Sequence, residues 1–155
     1  MKTKSPWLPE VPKASEKPLP GNSERPEHMC VASTCCPMDL ADQAVLEAFA
    51  RKVIADYGHV DYLINNALPL MKGIDACSYE EFNYALRVGV TAPFYLTKLF
   101  APHFAPGAAI VNISSSRDRM SQPQTESYTA AKGGISALTH ALAVSLAGRV
   151  RVNAI

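Results

Sequence analysis

Tyr128 and Lys132 stand four residues apart in Tyr128-Thr129-Ala130-Ala131-Lys132, and Ser115 stands thirteen residues before the tyrosine. The segment continues through Gly133-Gly134-Ile135-Ser136-Ala137-Leu138 and reads as helix. Residues four apart share a helical face, so phenol and ammonium spring from Cβ atoms roughly 6 Å apart. A free phenol has a pKa of about 10, and lowering it to ~7 takes about 4 kcal/mol. One ammonium ~5 Å away, at an effective dielectric of ~20, supplies roughly 3 kcal/mol of that. A phenol placed this way can give a proton to a carbonyl oxygen or take one from an alcohol. A serine hydroxyl beside it would orient that oxygen and stabilise its developing charge.

These groups need elements to hold them. Ser115 ends the apolar run Ala108 to Ser114, which reads as a buried strand of a parallel sheet, the place where ligands bind in such sheets. Val60 to Ile64 reads as another strand. Before it, Asp39 or Asp42 can cap a helix with apolar positions Val45, Leu46, Phe49, Val53 and Ile54, closed by Gly58. Ser78-Tyr79-Glu80-Glu81 is a capping box opening a long helix toward Pro102, which Pro93 should bend. The helix carrying Tyr128 spans about Ser127 to Leu146, and Arg149 to Ile155 is a last strand. Strands alternating with helices imply an α/β fold with a right-handed parallel sheet.

Ile110-Val111-Asn112-Ile113-Ser114-Ser115, Tyr128-x-x-x-Lys132 and Asn65-Asn66-Ala67 behind an apolar strand together resemble the short-chain dehydrogenase/reductase family. The resemblance runs from about Cys36 to Ile155. It implies an incomplete Rossmann-like, doubly wound parallel sheet with flanking helices. The implied activity is hydride transfer between NAD or NADP and a small carbonyl or alcohol substrate. By resemblance Tyr128 is the acid/base. Lys132 lowers the phenol pKa, helped by the positive nicotinamide ring, and holds the ribose, while Ser115 binds the substrate oxygen. Asp39 resembles the aspartate that reads the adenine amino group, with helix N-cap as its other reading. Asn65, Asn66 and Ala67 resemble the turn beside the adenosine ribose, whose amides also tie the sheet together. The family's two long helices pack into dimers and tetramers, so homo-oligomerisation through Ser78 to His103 and Ser127 to Leu146 is implied.

Departures from the family pattern carry their own expectations. The glycine-rich phosphate turn has no counterpart, since Gly21 is the only glycine before Gly58, so cofactor binding is expected to be weakened or lost. The chain reads as a fragment also lacking the substrate-covering segment after Ile155. A non-catalytic oligomerisation or interaction module is the alternative reading. In the family's strand order, 3-2-1-4-5-6-7, Val60 to Ile64 becomes an uncovered edge, and any third-strand remnant around Cys30 to Cys35 is stranded. Losing cover on Val60, Tyr62, Leu63 and Ile64 would cost ~1.5–3 kcal/mol per well-buried side chain. Gly89 stands where the family usually carries an asparagine that anchors a proton-relaying water. Either turnover is slow, or the glycine lets a bent helix or a substrate approach closely. The polar loop Ser116 to Glu126 reads as a solvated loop or as the border of a site for hydroxylated substrates.

The bulk properties narrow the class. The 155 residues suit one domain, and a formal net charge of +1 points to neither nucleic acid nor an acidic membrane. No apolar run approaches the ~20 residues of a membrane span, and the N-terminus lacks a signal-peptide core, so the expected location is cytoplasmic. Residues 1–29 hold six of the twelve prolines and read as a disordered tail ahead of a partial domain over 30–155. Cys30, Cys35, Cys36 and Cys77 form no zinc knuckles, the four histidines lack metal-ligand spacing, and no metal is expected.

Overall fold

The computed structural model describes residues 30–32, by their backbone, and 38–155. The expected tail, residues 1–29, lies outside the described residues. Four parallel strands, β1 (Cys30–Ala32), β2 (Val60–Asn65), β3 (Phe104–Asn112) and β4 (Arg151–Ala154), form one sheet in the order β1-β2-β3-β4. Crossovers run through α1 (Gln43–Tyr57), the pair α2 (Tyr79–Leu86) and α3 (Ala92–Phe100), and α4 (Glu126–Ser145). When each crossover steps to the next strand in one direction, right-handedness puts these helices on one face. Leu63 and Ile110, register partners, are both fully buried among the core residues that include Leu46, Leu96 and Phe100. Tyr62, one residue away and so on the opposite face, is 37% exposed.

The edge expectation is corrected here. β2 is not bare, because Cys30–Ala32 pairs with it in register Cys30↔Tyr62, Val31↔Leu63 and Ala32↔Ile64. Unpaired amides and carbonyls along an edge strand attract an available extended segment, and this one satisfies them. Val60 and Leu63 keep full cover, so the expected loss does not fall on them.

Local chemistry sets the helix limits. Asp42, not Asp39, caps α1, its Oδ1 accepting from Ala44 N at 2.8 Å, and Gly58 closes the helix at φ 79°. Asp42→Ala is expected to cost about 1 kcal/mol in urea unfolding. The Ser78/Glu81 capping box is present with both bonds formed. Where Pro93 was expected to bend the long helix, a π-turn, Arg87–Thr91, joins α2 to α3 just before it, with Ala92 N donating to Arg87 O. Strand β3 begins earlier and ends earlier than the apolar run; its early start pairs Phe104 with Val60 ahead of Gly107 at φ 84°, and a register shift between Val60 and Tyr62 separates that pairing from the rest.

Candidate active site

Tyr128 is the third residue of α4 and half-buried, and Lys132 lies one turn further on, only 4% exposed. The Lys132 Nζ sits 5.5 Å from the centre of the Tyr128 ring and donates to Ile113 O at 2.5 Å. Ile113 follows the end of β3, and Ser115 two residues beyond it is extended, φ −169° and ψ 157°. The phenol and the ammonium thus meet at the carboxyl end of β3, while Ser115, two residues beyond Ile113, borders a separate cavity with Ser114, Asp118 and Ser136. Ser115 Oγ accepts from Arg117 N at 3.2 Å, which leaves its hydrogen available for another acceptor. The preceding serine, Ser114, bonds Ser136 Oγ at 2.7 Å, and Ser136 donates to Asp118 Oδ2 at 2.9 Å, fastening this strand end to α4.

Burial lowers the pKa of Lys132, since removal from water disfavours the ammonium. In the folded chain the ammonium loses its proton more readily than in the unfolded chain. Between the lowered value and the ordinary 10.5 the unfolded state therefore binds more protons, and stability rises with pH. Lys132→Met is expected to abolish that rise in urea unfolding followed from pH 7 to about 10, leaving stability at pH 7 unchanged or up by about 1 kcal/mol. Loss of more than about 2 kcal/mol at pH 7 would instead make the ammonium a net stabiliser.

Asn65 is buried and donates from Nδ2 to Asn112 Oδ1 at 2.8 Å. Asn112 donates in turn to Thr139 Oγ1 at 2.9 Å, and Thr139 to Ile135 O at 2.8 Å. One directed chain of bonds thereby joins β2, β3 and α4. Asn66 is exposed and Ala67 half-buried. A cavity of about 10 Å³ is bordered by Leu40, Asn65, Ala67, Gly89, Ile113 and Lys132. Asp39, next to Leu40, is exposed, its Oδ1 accepting from Ala41 N at 2.9 Å and from the Tyr84 hydroxyl at 3.2 Å. Burial, and then the bond to Asp39, push the Tyr84 phenol up. Tyr84 gave no signal in the sequence, because its partner lies 45 positions away. Among the described residues no cluster of side chains could hold a metal ion.

For a nicotinamide cofactor, the group present that could meet a ribose hydroxyl is the Lys132 ammonium. The buried Lys132 ammonium has spent one N–H on Ile113 O and borders the same cavity as Asn65 and Ala67. Gly89 shows why the asparagine position differs, for a Cβ there would lie 2.7 Å from Ala131 Cβ. Close approach of two helices is the reading that the geometry favours.

A parallel sheet with a tyrosine and a buried lysine over the carboxyl end of one strand is the arrangement of a Rossmann-like oxidoreductase. Comparison with known proteins makes this specific. Residues 21–155 match the family model described as enoyl-(acyl carrier protein) reductase. An uncharacterized oxidoreductase of Thermotoga maritima is 41% identical over 111 residues, 70% of this chain and 43% of that protein. A mouse L-fucose dehydrogenase is 32% identical over 77% of this chain and 45% of its own length. An apo SCOR enzyme from Clostridium thermocellum superposes with a TM-score of 0.71 at 41% identity, over 76% of this chain and 49% of that one. The chain belongs to the short-chain dehydrogenase/reductase family. It spans about half the length of the relatives it matches. No helix among the described residues is long and apolar enough to cross a membrane.

Proposed function

We propose that this chain takes part in hydride transfer between NAD or NADP and a small carbonyl or alcohol substrate. The observation that carries the reading is the Lys132 ammonium, 4% exposed, held by Ile113 O and 5.5 Å from the centre of the Tyr128 ring. When bound, the cofactor supplies or accepts the hydride. Tyr128 gives its phenolic proton to the substrate oxygen during reduction and recovers it during oxidation. Lys132 stabilises the phenolate left behind and turns its remaining N–H groups to the ribose hydroxyls. Ser115 donates its free hydrogen to the same substrate oxygen, opposing the charge that develops there.

Asn65, Asn66 and Ala67 line the adenosine side in this reading, and Asp39, steadied by Tyr84, meets the adenine. Relatives with NADP bound, such as the short-chain dehydrogenase of Burkholderia cenocepacia, 27% identical with a TM-score of 0.69, support the cofactor class. The same reading carries a cytoplasmic location and self-association through α2–α3 and α4.

Titrating the purified chain with NADH and with NADPH, read by cofactor fluorescence, tests it. Weakened but saturable binding that Lys132→Met removes is expected. No binding up to about 1 mM sinks the enzymatic reading for this chain. Oligomerisation without binding is instead the signature of an interaction module, a reading favoured by Phe94, 46% exposed on α3, and Val144, 79% exposed on α4.

A further inference from the structure

The helix that carries Tyr128 and Lys132 has no side-chain cap at its N-terminus. The first N–H groups of such a helix need acceptors from elsewhere. Here a distant loop supplies one, since Ser127 N donates to Lys72 O at 3.1 Å. The Ser127 side chain, fully buried, completes the junction. Its Oγ accepts from Lys72 N at 2.8 Å and directs its single hydrogen between Leu70 O at 2.8 Å and Lys72 O at 2.9 Å.

Neighbouring contacts extend the same crossing. Glu126 Oε2 accepts from Ile74 N at 3.1 Å, and Gln124 Oε1 accepts from Asp75 N at 3.3 Å while its Nε2 donates to Asp75 Oδ2. On the loop's other flank, Lys72 Nζ meets Glu81 Oε1 at 2.5 Å. The backbones touch so closely that a Cβ on Gly73 would lie 2.2 Å from Gln124 Cα. Gln124 holds φ 62°, left-handed backbone that a side-chain-bearing residue adopts only when its surroundings impose it. Strain and a fully satisfied buried hydroxyl thus meet within four residues of Tyr128.

We propose that residues 70–75 and 124–127 form one clamp that sets the position of Tyr128, with Ser127 as its positioning residue. The inference rests on Tyr128 being the acid/base of the proposed reaction. The loop continues from Asn65-Asn66-Ala67, so the clamp ties the cofactor side of the site to the first turn of the tyrosine's helix. A displacement of the loop uncaps that turn, and the phenol moves with it.

The test uses the full chain with Ser127→Ala, Glu126→Ala and, as a control of similar cost outside both segments of the clamp, Asp42→Ala. Hydrogen exchange by mass spectrometry reports protection of residues 69–77 and 126–132, and NMR reports the ring-current shift that Tyr128 imposes on the Lys132 Hε protons. Ser127→Ala is expected to lower protection in both segments together by about tenfold and to move the Lys132 signal toward its free-chain position. Glu126→Ala should give a smaller loss in the same two segments, and Asp42→Ala should change neither segment nor signal. Loosening of 69–77 alone overturns the clamp. So does an equal response to Asp42→Ala, which would reduce Ser127 to a contributor to general stability. If Ser127→Ala does not fold, Glu126→Ala decides by the same two readouts. Neither readout needs cofactor, so failure to bind NADH or NADPH sinks the functional reading separately.

Discussion

In the proposed reaction Tyr128→Phe is expected to lower carbonyl reduction by about 10²–10⁴-fold and to leave NADPH affinity within about twofold. The substitution removes one oxygen and one proton. It keeps the ring, which lies 5.5 Å from the Lys132 Nζ, and it leaves that ammonium's bond to Ile113 O intact. The loss should therefore fall on turnover. Lys132→Met should behave differently, weakening binding and turnover together, because the ammonium serves both the phenolate and the ribose in the proposed reaction. Steady-state oxidation of NADPH, with binding measured separately by fluorescence, distinguishes the two variants. A Tyr128→Phe chain that turns over at the parent rate would assign the proton to another group, with Ser115 the first to test.

How far the sequence led depended on the range of each interaction. Spacing of four made the Tyr128 and Lys132 pair visible, and the β-branched run before Ser115 placed the pair against a strand end. Ser78 and Glu81 announced their helix because both halves of a capping box lie within four residues. The π-turn at Arg87–Thr91 was legible only as a bend at Pro93, and the approach of Ala131 to Gly89 joins residues far apart in the chain. Pairing of Cys30–Ala32 with β2 spans about thirty residues, and no local pattern says which strand edge an extended segment will join. Ser127 was hidden for the same reason, since its partners Leu70 and Lys72 are 57 and 55 positions away. Asp39 and Asp42 were equivalent as caps in sequence. Geometry separated them, giving the helix to Asp42 and leaving Asp39 to Tyr84 and Ala41.

Restoring the family's asparagine is expected to damage this chain. Two effects oppose each other at Gly89. Glycine within a helix costs about 1 kcal/mol relative to alanine, so a side chain with open space would stabilise. The space is not open: a Cβ would stand 2.7 Å from Ala131 Cβ and 3.3 Å from Pro69 Cβ. Overpacking of that kind costs about 1–3 kcal/mol, and an amide adds three further heavy atoms beyond the Cβ. Gly89→Asn should thus lose about 2–3 kcal/mol in urea unfolding and disturb Lys132, the residue after Ala131. Gly89→Ala tests the first contact alone, and Ala131→Gly in the same chain removes the atom it strikes. If the clash decides the sign, the double variant recovers at least about 1 kcal/mol relative to the sum of the two single changes. Additive costs would show that the glycine answers to the conformation of the π-turn rather than to the closeness of α4.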